Sequence, residues 1–221
     1  MLTKERVFEI MGPFYGNDHY RSAIAQNTPE GDLAVITETL DRVNALGYRV
    51  CNLHALEKAE DIRLAPILLE AFDRLISENR RAGAIGVLRR RCYAPFVPEL
   101  IRRYEGTDSA SLRRSITDAL FGIGSRKHIP DYLRLVRGTG YGESPDYLLD
   151  LLCKLRVRDA VPVLLSLHAQ NPRDWEWTLL KYAPATGEPE LIPAIRPYLK
   201  SGDRELRTMA EKALKKLERE D

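Results

Sequence analysis

Six side chains carry most of the recognition chemistry in this sequence: Arg81, Arg113, Arg114, Asp118, Trp177 and Lys181. Guanidinium forks, an ammonium, a carboxylate and a large aromatic are the groups that anchor macromolecular contacts. Arg81, Arg113 and Trp177 share a register, each standing fifteen residues after a proline (Pro66, Pro98 and Pro162). Asp118 and Asp150 share another, twenty residues after Pro98 and Pro130. Two carboxylates on one face read most plainly as acids that balance nearby arginines. Trp175 and Trp177 are two residues apart on a predicted helix and cannot share a face. One therefore packs inward, and Trp177, in register with the arginines, is expected to be the surface anchor.

Catalytic signatures are missing from the sequence. It contains no Walker loop, no nucleophile elbow and no His-Glu-x-x-His segment. His19, His54, His128 and His168 are scattered, and His168 falls in an apolar column that reads as core or boundary. Cys51, Cys92 and Cys153 are odd in number and far apart, which fits reduced buried thiols rather than a disulfide framework or a zinc knuckle. Gly138-Thr-Gly-Tyr-Gly follows a predicted helix, not a strand, so it reads as a turn and not as a phosphate cradle. The expectation is a protein that is not an enzyme, with no catalytic residue, no metal and no cofactor.

Charge is unevenly spread. The total of 34 basic and 32 acidic side chains hides a net of −5 over residues 1–73, +8 over 74–137 and −1 over 138–221. The basic middle has three readings: a surface for an acidic protein, a surface for nucleic-acid phosphates, or a solvated face whose arginine stems cover apolar surface. The pI near 8.4 falls short of the strongly basic footprint of a nucleic-acid domain, so a protein partner is expected first and nucleic acid second. No run approaches the roughly 18 apolar residues of a membrane span. The opening Met1-Leu-Thr-Lys-Glu-Arg has no apolar signal core, so a cytoplasmic protein with no membrane association is expected. Nothing in the pattern specifies an oligomeric state.

These side chains are positioned by a repeat. Prolines at 66, 98, 130, 162 and 193 are spaced 32, 32, 32 and 31 residues apart. Apolar columns accompany them: Leu68, Leu100, Tyr132, Leu164 and Ile195 two residues on, and Ala84, Ile116, Leu148 and Leu180 eighteen on. Steps of three and four residues predict two short helices per unit, with the proline in the first turn of the first helix, where its missing N–H costs nothing. Asp159 reads as a cap before Pro162, and Gly106, Gly138 and Gly202 as left-handed stops of first helices. Ser144-Pro145-Asp146 and Asn171-Pro172-Arg173-Asp174 read as starts of second helices, and Thr28-Pro29-Glu30 as the start of the first unit. A helix pair of this length cannot bury its own apolar face, so neighbours must stack.

Asp159-Ala-Val-Pro-Val-Leu-Leu-Ser-Leu and Ser201-Gly-Asp-Arg-Glu-Leu-Arg-Thr-Met-Ala-Glu-Lys-Ala-Leu resemble the two halves of a short HEAT-like repeat of the phycobilisome-lyase type. The resemblance covers residues 31–221. It implies an all-α fold, a right-handed α-α superhelix of about six HEAT-like hairpins, with residues 1–30 as an N-terminal helical cap. It also implies a binding scaffold whose second helices line a concave face. On that face Arg81, Arg113, Arg114, Asp118, Trp177 and Lys181 would meet a protein partner, in a role such as bacterial regulation or toxin neutralisation. The alternatives are a nucleic-acid binder or a DNA glycosylase-type enzyme using the basic middle, or a bilin lyase. The repeat motif itself specifies packing and names no catalytic residue.

Overall fold

The computed structural model describes residues 29–50, 52–138 and 146–218, and among them every regular element is helical. Cys51, residues 139–145 with the glycine turn and the Ser144-Pro145 start, and the two short helices expected near Thr3 to Met11 and Asp18 to Gln26 lie outside the described residues. No described helix is long and apolar enough to cross a membrane. The chain divides into two compact units, Met1–Ile123 and Gly124–Asp221.

The first unit contains α1 (Glu30–Ala45), α2 (Leu64–Arg74), α3 (Glu78–Gly86), α4 (Val97–Glu105) and α5 (Ala110–Ile123). Helix α1 packs on α2, α2 on α3, α4 on α5, and the two second helices α3 and α5 lie against each other. The partner expected after α1 is not a helix: the chain there makes only a 3-10 turn, Leu53–Leu56, capped by the Asn52 side chain on the Ala55 amide. The second unit contains α6 (Ile129–Arg137), α7 (Asp146–Lys154), α8 (Val161–Gln170), α9 (Pro172–Trp177), α10 (Ile192–Ile195) and α11 (Arg204–Leu217). Helix α9 runs into a π-turn, Thr178–Tyr182, because Pro184 has no N–H to continue an α-helical ladder. Both α7 and α11 pack against that turn.

The sequence columns form the core. Leu68, Leu100, Tyr132, Leu164 and Ile195 are all fully buried, as are Ala84, Ile116 and Leu148, with Leu180 nearly so. Pro98, Pro130, Pro162 and Pro193 each stand in the first turn of their helix. Asp159 is not a cap; it sits inside a 3-10 turn, Arg158–Ala160, that delivers the chain into α8. Similar turns, Arg91–Phe96, Arg126–His128 and Pro189–Leu191, precede α4, α6 and α10.

Among the described residues the left-handed stops fall mostly on the other helix of the pair, with Gly47 after α1 (φ 101°) the exception. Gly106 has φ −86° and Gly138 φ −72°, and Gly202 too stays out of the left-handed region. The left-handed residues after second helices are Gly124 after α5 (φ 63°), Arg156 after α7 (φ 60°) and Gly187 (φ 75°) after the turns that prolong α9. The reason lies in the hydrogen bonds after α7. The Arg156 amide bonds the Cys153 carbonyl and the Val157 amide reaches back to Leu152, a five-residue return that requires one left-handed residue. Two first helices, α2 and α6, instead leave by an extended bend, at Leu75 and Gly138.

One polar contact ties distant elements of the first unit. Asp32 on α1 is fully buried, and its carboxylate accepts the Ile76 amide at 2.5 Å and the Ser77 amide at 2.9 Å, at the start of α3. Burial pushes this carboxyl up, but the bonds from Ser77 and Ile76 outweigh it and hold the group below its ordinary range.

Candidate functional site

The six recognition residues divide between the units, Arg81, Arg113, Arg114 and Asp118 in the first, Trp177 and Lys181 in the second. Helical hairpin geometry decides how each is presented. Arg81, near the start of α3, folds back over the end of α2: its Nε donates to the Phe72 carbonyl at 3.0 Å and its guanidinium lies 4.3 Å from the Phe72 ring centre. Arg113, thirty-two residues on, repeats the arrangement over Tyr104 at 5.9 Å and approaches Asp108 at 3.8 Å. Phe72 and Tyr104 are themselves equivalent, six residues after Pro66 and Pro98. Each arginine therefore lids the aromatic that fills its own hairpin, a cation over the negative face of a ring. Arg113 is only 9 % exposed. Among the residues expected on the binding face, it is the one that is buried, packed down against its own hairpin.

Arg114 and Asp118 lie one turn apart on α5, and Arg114 is exposed. Asp118 pairs with Arg89, just beyond the end of α3, at 3.1 Å. Burial raises the Asp118 carboxyl, and the positive charges of Arg89 and Arg114 only partly offset it. This pair sits where α3 and α5 come closest. A methyl group placed on Gly122 would lie 2.4 Å from the Arg89 carbonyl oxygen, so glycine is what allows the approach.

Trp175 is buried and Trp177 is 46 % exposed, as their spacing predicts. Lys181 lies in the π-turn one winding further, its Nζ 5.8 Å from the Trp177 ring and 5.0 Å from the Tyr182 ring. A large apolar face, with a cation held beside it, is thus presented to solvent. His168, in the apolar column, is half-buried and bonds the Tyr198 hydroxyl through Nε2 at 2.8 Å; burial lowers its affinity for a proton.

Several contributors escaped the sequence reading. Arg103 belongs to the basic middle, yet it is consumed internally, donating to both oxygens of Asp73 and to the Leu69 and Glu99 carbonyls. Arg74 and Arg42 are likewise engaged with Glu38 and Glu70 across α1 and α2, at 2.6 and 2.8 Å. The Glu38–Arg42 and Glu70–Arg74 spacings are local, but the partners across elements lie 28 to 36 residues away and leave no local sign. Among the described residues no group of three or more His, Cys, Asp and Glu side chains stands close enough to hold a metal ion. Burial pushes the Cys153 thiol up to about 12 and raises Cys92, so neither is a thiolate at neutral pH.

No family model matches the chain, and no curated protein matches it in sequence.

Proposed function

We propose that this chain is a HEAT-like helical-repeat scaffold, a right-handed superhelix of paired helices, that binds a protein partner along its second helices and performs no chemistry itself. The observation that supports this reading best is Trp177, 46 % exposed beside Lys181 while Trp175, two residues before it, is buried. Exposing an indole to water is unfavourable, and tryptophan next to a cation is the typical centre of a protein interface. The stacked hairpins hold it rigidly, so little ordering entropy is lost on binding. A cytoplasmic regulatory or toxin-neutralising role agrees with this arrangement.

Nucleic acid is the weaker alternative. Arg74, Arg89 and Arg103 are paired with acids within the fold and Arg113 is buried over Tyr104, so part of the positive charge of the middle segment is already spent before any phosphate arrives. The decisive experiment is affinity capture from the native host, identification of the partner, and reconstitution with purified protein. Trp177→Ala should weaken the reconstituted complex by about tenfold or more while leaving thermal stability unchanged. Equal binding by the variant, or a partner that proves to be duplex DNA, refutes the reading.

A further inference from the structure

The first unit is one second helix short. Helix α3 packs on α2 within its own hairpin and on α5 to one side. To the other side it meets the 3-10 turn Leu53–Leu56, and no second helix follows α1 among the described residues. A groove of about 230 Å³ marks the place. Ile36 of α1 and Leu53 of the turn give it apolar surface, and Asn52 and Asn79 line it with amides. Gly83 of α3 leaves it open, since an added methyl there would meet nothing within 4 Å. The volume suits side chains reaching in from a helix laid across the opening, not the helix itself. Ile76, three residues before Asn79, is 70 % exposed, more than any other large apolar side chain among the described residues.

We infer that residues 3–11 of this chain dock across that groove and stand in for the missing second helix. Three features select this occupant. The first is where the chain comes in. Pro29 leads into α1 at Glu30, and Asp32 in its first turn holds the Ile76 and Ser77 amides at the start of α3. Both helical walls of the groove therefore begin beside the point where residue 28 hands over to α1, and Ile36 is only about 9 Å further along the helix. The second is reach. Residues 12–28 form a tether of 17 residues. Its relaxed span of roughly 20–25 Å covers that distance and keeps the segment at high local concentration. The third is pattern. Val7, Ile10 and Met11 stand at i, i+3 and i+4, which is one face of a helix, while Glu5 and Glu9 fall on the opposite face. The stretch is as long as α3, nine residues. Docking takes those apolar side chains out of water and covers Ile36 and Leu53. The end hairpin is thereby closed from upstream, in the first unit alone and whatever the scaffold binds.

Limited trypsin digestion of the full chain, read by intact mass, tests the docking at Arg6. A synthetic peptide of residues 1–28 is the unprotected reference. In the chain, cleavage after Arg6 should be slower by about tenfold or more, because only the undocked fraction is cut. Gly83→Leu, which fills the groove, and Val7→Asp, which spoils the inserted face, should each speed that cleavage by about fivefold or more. Gly86→Leu adds the same side chain to α3 outside the groove, where a methyl also meets nothing within 4 Å, and should change the rate by less than about twofold. Equal rates in the two leucine variants, or no protection in the unaltered chain, overturn the docking. Protection that disappears on dilution assigns the groove to a second copy and overturns the contact within one chain. A photocross-linking side chain at Asn79, an exposed position, should join to residues 3–11. A cross-link elsewhere in the chain, or none, refutes the site even if Gly83→Leu fails to fold.

Discussion

The fifteenth residue after the repeat proline meets opposite fates in the two units. In the first unit it is Arg81 or Arg113, folded down over Phe72 or Tyr104. In the second it is Trp177, turned out to solvent. The difference originates nine residues earlier. Phe72 and Tyr104 offer a buried ring with a free face, whereas the equivalent His168 is drawn away to the hydroxyl of Tyr198. An aromatic column accepts a cationic lid; a column already bonded to the next hairpin does not, and the residue above it is released. One register position thus serves packing in one place and presentation in another, and the residue six after the proline decides which.

That contrast can be broken experimentally. The largest effect is expected where α3 and α5 touch. Gly122→Ala forces a methyl into the Arg89 backbone and should cost about 2–3 kcal/mol in chemical denaturation, as overpacking against atoms that cannot move aside. Gly83→Ala on α3, where an added methyl meets nothing within 4 Å, should instead gain about 0.5–1 kcal/mol from helix propensity. A smaller effect separates the lid from the anchor. Arg113→Ala should lose about 1–2 kcal/mol through lost packing and ring contact, while Trp177→Ala should lose less than about 0.5. Matching losses in that pair would erase the distinction. A gain is expected at a cap: Arg156 occupies a left-handed position that glycine fills after α5, so Arg156→Gly should raise stability by about 1 kcal/mol. A loss there would mean that the Arg156 side chain contributes more than its strain costs.

The repeat was legible because its signal is redundant. Each proline marks the first turn of a helix, each apolar residue two and eighteen positions later reports the face that helix pair buries, and the structure places those apolar columns in the core. Trp177 could be assigned to the surface because helical periodicity forbids two residues so close from facing one way. The caps were not legible in the same manner. Glycine marks where a left-handed turn is allowed, not which helix of a pair requires one, and Arg156 shows the requirement met without glycine at all. The burial of Arg113 was not legible, because a guanidinium at helical spacing reads as solvent-facing and only the aromatic nine residues before it reveals the lid. Composition alone overstated the free charge of the middle segment, since ion pairs such as Arg103 with Asp73 form only once the hairpins stack.

Asp32 has a consequence for how far this molecule behaves as interchangeable layers. Repeat arrays are commonly shortened or spliced at hairpin boundaries, because each layer is finished by its own residues. Here the start of α3 is completed from α1, across 44 residues of chain. Excising α1 would strip two backbone amides of their acceptor at the start of α3. A graft that transplants the hairpin of α2 and α3 alone must therefore import a substitute acid at Ser77, or carry α1 with it.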